Sequence, residues 1–187
     1  MKKFAMIILA CSAAGLILNA RQAAGPAAAL FEAPALITSA GQSAEVQLAS
    51  VLAKKAEVPA TLAKMAGAAD LANHKTLILV LGASSKGMGA AGLDAGKERD
   101  RIKALLTEAK TRAIPILCMH LGGESRRGQL TDEMIAEYLP AAKAAIIVKS
   151  GNKDGIFTKI CAQSKIPLKE VDKTLDAVGP LKDAFKK

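Results

Sequence analysis

The sequence predicts a three-layer α/β fold, with an open, mainly parallel sheet of about five strands and helices on both faces. Short, nearly continuous apolar runs alternate along the chain with longer segments of helical spacing. Continuous apolar character is typical of strands that are buried on both faces of a sheet. The alternation of strands and helices favours right-handed crossovers in a doubly wound sheet, with either a Rossmann-like or a flavodoxin-like strand order.

The individual elements follow from these runs and spacings. Strands are expected at 35–38, 76–81, 114–119 and 145–148, with a weaker one at 166–168. Helices are expected at 44–56, 95–113, 131–142, 154–164 and 171–185, and a short additional helix at 60–66. Gly67 is the expected end of that short helix. In the helix at 95–113, Ile102 and Leu105 form the apolar side, while Arg101 belongs to the polar side.

Residues 1–29 have the pattern of an export signal. Lys2 and Lys3 precede an apolar stretch at 4–18, which is shorter than the roughly 20 residues that a membrane-spanning helix needs. Small residues place the cleavage after Ala27 or Ala29. Lipid attachment at Cys11 is the less favoured alternative, because the apolar region before it is very short. The expected product is a single α/β domain at 30–187, periplasmic or secreted, without an integral membrane span.

Composition excludes several classes of function. The chain is 51% hydrophobic, which excludes disorder, and its 26 Lys+Arg against 17 Asp+Glu give a net charge of +9. Only 3% of residues are aromatic, so there is little material for stacking on bases, and no nucleic-acid partner is expected. Neither histidines nor cysteines occur in closely spaced pairs, so we expect no metal site and no cofactor. Cys118 and Cys161 fit either a disulfide or two buried thiols.

Polar residues and glycines are concentrated in the loops after the predicted strands, where parallel sheets bind ligands. The loop after the second strand, at 82–94, is long for a strand-to-helix connection and contains four glycines. Hydroxyls, amides and a lysine in such loops are suited to holding an anion. The candidate ligand contacts in the first two loops are Ser39, Gln42, Ser43, Ser84, Ser85 and Lys86.

The loops after the third and fourth strands add further candidates. Arg126 and Arg127 offer planar forks for carboxylate or phosphate oxygens, and only one is expected to face the site because adjacent residues point apart. His120 ends the third strand, either as a ligand contact or as a hydrogen-bonded residue of the sheet. Glu124 is either a general base or an ion-pair partner. Asn152 and Asp154 are expected to complete the polar pocket, or Asp154 only caps the helix that begins at Gly155.

These four loops, taken in order, resemble those of a bacterial family of exported proteins known only as domain of unknown function 6305. The resemblance is carried by segments 34–43, 82–92, 119–128 and 150–155 and covers nearly all of the mature chain. It implies a signal peptide and an α/β domain. It assigns no activity and no catalytic residues.

The leading hypothesis is therefore an exported binding module for a small anionic ligand at the carboxyl edge of a parallel sheet. The rival is an extracytoplasmic hydrolase or lyase with His120 or Glu124 as the general base. In a third hypothesis, the basic helices dock on an acidic protein partner.

Overall fold

The structure, a computed structural model, describes residues 29–186. Its strands are β1 (Ala35–Ala40), β2 (Ala60–Leu62), β3 (Thr76–Leu81), β4 (Ile116–His120), β5 (Ala144–Val148) and β6 (Leu168–Val171). They form one parallel sheet in the order β2-β1-β3-β4-β5-β6. The helices are α1 (Glu45–Lys55), α2 (Ser85–Ala90), α3 (Ala95–Thr111), α4 (Gln129–Tyr138), α5 (Ile156–Ser164) and α6 (Val178–Ala184).

The strand order confirms the predicted three-layer fold, with one strand more than expected, and corresponds to the flavodoxin-like arrangement. Helices α1 and α6 pack on one face of the sheet, and α3, α4 and α5 pack on the other. Every residue of β3 is buried: Leu77 and Leu79 face one helix layer, while Ile78 and Val80 face the other. Burial on both sides explains why the strand reads as a continuous apolar run.

The short helix expected at 60–66 is wrong, because this segment forms β2 at the edge of the sheet. Ala60 pairs with Ala35, and Leu62 pairs with Ile37. The residues of β2 are exposed or half-buried, so the segment lacks the apolar signal of a buried strand. Its alanines and leucine favour a helix locally, but the open edge of β1 supplies hydrogen-bond partners that only the folded sheet provides.

Two further segments differ from expectation. The long loop after β3 contains α2, whose first turn is capped by Ser84 accepting a hydrogen bond from the Gly87 amide. The helix expected at 171–185 is divided, since Val171 ends β6 and α6 begins only at Val178. Part of the predicted loop at 82–94 is thus a helix, and the last helix is shorter than expected.

The predicted export signal at 1–29 lies, apart from its last residue, outside the described residues. No helix within 29–186 is long and apolar enough to cross a membrane.

Candidate functional site

The loops after β1 and β3 are joined at the carboxyl edge of the sheet. The Ser84 amide donates to the Gly41 carbonyl at 2.8 Å, and Gln42 pairs with Ala83 in an isolated bridge. Gly41 has φ +104°, and a Cβ there would stand 2.6 Å from the Ala83 Cα. Only glycine fits this close approach. The two loops therefore pack tightly together between β1 and β3, where the strand order reverses.

An ion pair that the sequence does not reveal fills the space beneath these loops. Glu98 on α3 is fully buried and accepts hydrogen bonds from Arg101 Nε at 2.9 Å and Nη2 at 2.8 Å. The Gly41 amide donates to the same carboxylate at 2.8 Å, and the Gln42 side-chain amide does so at 3.2 Å. A buried carboxylate with this many donors is compensated for the loss of water.

The placement of Arg101 on the polar side of α3 is therefore wrong. Its guanidinium also donates to the carbonyl oxygens of Ser39 and Ala66, so it ties the end of β1 to the segment after β2. The sequence did contain a sign of this buried pair, because Glu98 lies one helical turn before Ile102 and therefore on the buried face of α3. This ion pair connects the loop after β1 to α3.

The three candidates in the first loop all lie against other groups of the protein. Ser39 Oγ accepts a hydrogen bond from the Ser43 amide at 3.2 Å, and Gln42 is held by Glu98. The Ser43 hydroxyl is buried and makes no hydrogen bond of normal geometry within residues 29–186. It nevertheless lies close enough to the Glu45 carboxylate to help lower the pKa of that group.

The candidates in the second loop lie around α2. Ser84 is occupied as the cap of that helix, whereas Ser85 and Lys86 are exposed on its first turn. Neither exposed side chain forms a hydrogen bond or ion pair in the part of the chain that the structure describes. The structure leaves both side chains in solvent, without tying them to the other candidates.

His120 is fully buried and bridges two backbone carbonyls. Its Nδ1 lies 2.9 Å from the Leu81 oxygen, and its Nε2 lies 3.0 Å from the Gly123 oxygen. Its ring also packs on Phe157 of α5, with 5.2 Å between the centroids. Of the two interpretations of this histidine, the geometry corresponds to a hydrogen-bonded residue of the sheet end. Both ring nitrogens lie against main-chain carbonyls inside the fold, so neither faces solvent.

Arg127 is held on every nitrogen of its guanidinium. Nε contacts Asp132 at 2.6 Å, Nη1 contacts the Gly151 carbonyl and Asp154, and Nη2 contacts Asp154 at 2.7 Å. Its Cζ atom lies over the Phe157 ring, 6.0 Å from the ring centroid. The hydrogen bonds from Arg127 lower the pKa of Asp154 to about 2. This arginine joins α4 to the start of α5, and four of its five N–H groups donate within the protein.

Arg126 is held on one side only. Its Nε donates to Glu45 Oε1 at 2.6 Å, and its terminal amino groups make no hydrogen bond within 29–186. Burial by itself would raise the pKa of Glu45, but hydrogen bonding to Arg126 and to the nearby Ser43 hydroxyl outweighs it, so that pKa is lowered. Glu45 is thus charged at neutral pH and orients a guanidinium whose outer edge is free.

The remaining candidates have local structural roles. Glu124 is exposed and forms an ion pair with Lys153 at 2.5 Å. Asn152 accepts a hydrogen bond from the Phe157 amide at 2.9 Å and donates to Thr158 and Glu170, so it caps α5 and contacts β6. Among residues 29–186 there is no group of three His, Cys, Asp or Glu side chains arranged to hold a metal ion.

The predicted contacts therefore separate into two groups. The structure brings Ser43 and Arg126 together around Glu45 at the start of α1, and a Cβ on Gly122 would stand 3.1 Å from the Glu45 carboxylate. It ties Arg127 and Asn152 to α5 instead. Glu45 was missed because a lone acidic residue in the first turn of a helix ordinarily faces solvent and complements the helix dipole.

Comparison with known proteins gives the family and little more. No curated protein matches the chain. The solved structures that match include AlinE4, an esterase of the SGNH-hydrolase family, at 17% identity and a TM-score of 0.29 over 82% of each chain. Two mutants of esterase AlinE4 match with the same TM-score and 17% and 16% identity. Likeness at this level carries no argument about activity. A family model matches residues 32–185, and the chain accordingly belongs to the family described as domain of unknown function DUF6305.

Proposed function

We propose that this domain is a binding module for a small anionic ligand, and that Arg126 is its anchoring residue. The supporting observation is the free outer edge of the Arg126 guanidinium, which is fixed on its other side by Glu45. A fork oriented in this way presents two parallel donors to a carboxylate or phosphate, with little rotamer entropy left to lose.

The surroundings of Arg126 add polar groups suited to the same ligand. The buried Ser43 hydroxyl lies beside Glu45 just before α1, and α1 begins without a side-chain cap. Backbone amides at the first turn of a helix carry partial positive charge and favour an anion. Ser43 and Arg126 belong to loops that follow different strands, and convergence of such loops is the usual origin of ligand sites in parallel sheets.

Hydrolysis with His120 or Glu124 as the base has less support. Both ring nitrogens of His120 face carbonyl oxygens, and the exposed Glu124 carboxylate forms an ion pair with a lysine.

We also propose that the module acts outside the cytoplasm after loss of the export signal, on the basis of the sequence pattern alone. Amino-terminal sequencing of the exported protein should then find Ala28 or Leu30 as its first residue.

The binding proposal is tested by titrating the ¹⁵N-labelled protein with sodium acetate and, separately, with sodium phosphate. We expect saturable shifts at the amides of residues 43–46 and at the Arg126 side chain, and their loss in Arg126→Gln. The matched control is Arg99→Gln, because Arg99 has a similar side-chain exposure (33% against 37%) and also pairs with carboxylates. Absence of saturable shifts, or their persistence in Arg126→Gln, would overturn the proposal.

A further inference from the structure

A second cationic region lies at the opposite edge of the sheet, where the strands begin. A groove of about 440 Å³ opens there, and its charged lining consists of Glu32, Lys75, Arg112, Lys143 and Lys186. Ala113, Ile114 and Pro115 form an apolar part of its wall. Its volume falls within the usual range of ligand sites in proteins, which is about 300–1,000 Å³.

The fold fixes the backbone positions of these cations. Lys75 directly precedes β3 and its amide donates to the Pro34 carbonyl at 2.9 Å, while Lys143 directly precedes β5 and its amide donates to Ile116 at 2.8 Å. Arg112 follows α3, and its side chain donates to the Ala72 carbonyl at 2.8 Å. Three separate chain segments therefore bring cations to one groove through main-chain contacts of the sheet and helix end.

Charge in this groove is not balanced. Among the described residues, Glu32 is the single carboxylate of the lining, and it is shared between Lys186 at 2.5 Å and Lys75 at 3.5 Å. Hydrogen bonding to Lys186, followed by the charges of Lys186 and Lys75, lowers the pKa of Glu32, so it is ionised at neutral pH. Four cations and one carboxylate leave an excess of three positive charges, or two if Glu108, which lies 4.0 Å from Arg112, is counted.

Compensation of helix dipoles explains only part of this cluster. Cations at a helix carboxyl end stabilise the helix, and this accounts for Arg112 at the end of α3. It does not account for Lys75 and Lys143, which precede strands, and Lys143 forms no ion pair with any residue in the range 29–186. We propose that this groove binds a small multivalent oxyanion of the pyrophosphate type, separately from the Arg126 site.

The geometry favours a multivalent anion over a monovalent one. Glu32 already neutralises about one charge and lies between two of the lysines, so a monovalent anion gains little over the resident carboxylate. A pyrophosphate ion spreads several charges over two groups and contacts cations on both sides of the groove at once. Hydrogen bonds between oppositely charged groups are stronger than those between neutral groups, so each such contact adds to the affinity.

The test is isothermal titration of the purified protein with pyrophosphate at constant ionic strength. We expect Arg112→Gln/Lys143→Gln to weaken binding by about tenfold or more. The matched control is Lys54→Gln/Lys159→Gln, which removes the same charge from two exposed lysines of α1 and α5 and should change affinity less than about twofold. Equal weakening by both double variants would mean diffuse attraction by net charge, and would overturn the proposal.

A second variant should change the pyrophosphate affinity in the opposite direction. Glu32→Gln removes the competing carboxylate and should strengthen pyrophosphate binding, whereas Glu133→Gln, which removes a carboxylate paired with Arg99, should not. Acetate should bind at least about tenfold more weakly than pyrophosphate. Arg126→Gln should leave pyrophosphate binding unchanged. If that variant loses pyrophosphate binding, the ion binds at the carboxyl edge of the sheet, and this inference is overturned. Circular dichroism establishes that each variant is folded.

Discussion

Gly151 lies against the buried imidazole of His120, so that a Cβ at position 151 would stand 2.7 Å from both Cδ2 and Nε2 of the ring. His120 in turn bridges the end of β3 and the loop after β4 through the Leu81 and Gly123 carbonyls. The loops after β3, β4 and β5 are thereby packed around one side chain. This arrangement makes the histidine a structural element of the carboxyl edge.

Gly151→Ala is expected to destabilise the fold by about 1–3 kcal/mol, because the added methyl group displaces the ring and disrupts its contacts with the two carbonyls. The control is Gly67→Ala, since a Cβ at position 67 meets nothing within 4 Å. Urea denaturation measures both changes in the free energy of unfolding. Equal stabilities for the two variants would contradict the role assigned to His120.

Breaking the buried ion pair between Glu98 and Arg101 is expected to be the most costly of the changes considered. Glu98→Gln leaves the guanidinium of Arg101 without its carboxylate, and loss of one partner of a buried pair costs about 3–5 kcal/mol. Glu133→Gln breaks an exposed pair with Arg99 and should cost less than about 1 kcal/mol. Denaturation midpoints distinguish the two, and a small effect at Glu98 would show that the loops do not depend on this pair.

Acid should uncouple Arg127 from Asp154. The hydrogen bonds from Arg127 lower the pKa of Asp154 from its ordinary 3.8 to about 2 in the folded state. Because the folded pKa lies below the unfolded one, the contribution is fully present above about pH 4 and is lost as the pH falls toward 2. A double-mutant cycle with Arg127→Gln and Asp154→Asn measures it. We expect a coupling energy that is constant near neutral pH and disappears at the acid end; coupling that persists there would exclude this mechanism.

The thiols of Cys118 and Cys161 should be unreactive in the native protein. Burial, and then the proximity of Cys161, raises the pKa of Cys118, and burial raises that of Cys161 to about 11. Both are free thiols in the structure, so at about pH 8 little of either is the reactive thiolate. Peptide mapping after treatment with a maleimide should find both labelled only in denatured protein. Labelling of the native state would contradict the burial, and denatured protein that reacts only after reduction would reveal a disulfide.

The sequence was sufficient wherever structure depends on local periodicity. The strand at 76–81 is predicted with its observed bounds because its apolar run is uninterrupted, and α1 begins and ends within one residue of expectation. The clustering of polar residues after the strands also follows from sequence, since parallel strands place their carboxyl ends at one edge. β2 was not predictable in this way, because its hydrogen-bond partner is the distant edge of β1.

The tertiary structure alone decided which polar residues keep free hydrogen-bond donors. Arg126 and Arg127 are neighbours of the same type, yet Arg127 donates four hydrogen bonds, to Asp132, Asp154 and Gly151, whereas Arg126 donates one, to Glu45. These partners belong to other loops and helices, so their distances are fixed by the packing of the sheet and not by spacing along the chain. The amino acid sequence thus determined the layers and the edge at which polar groups collect. Long-range packing determined which of those groups are satisfied internally and which retain free donors.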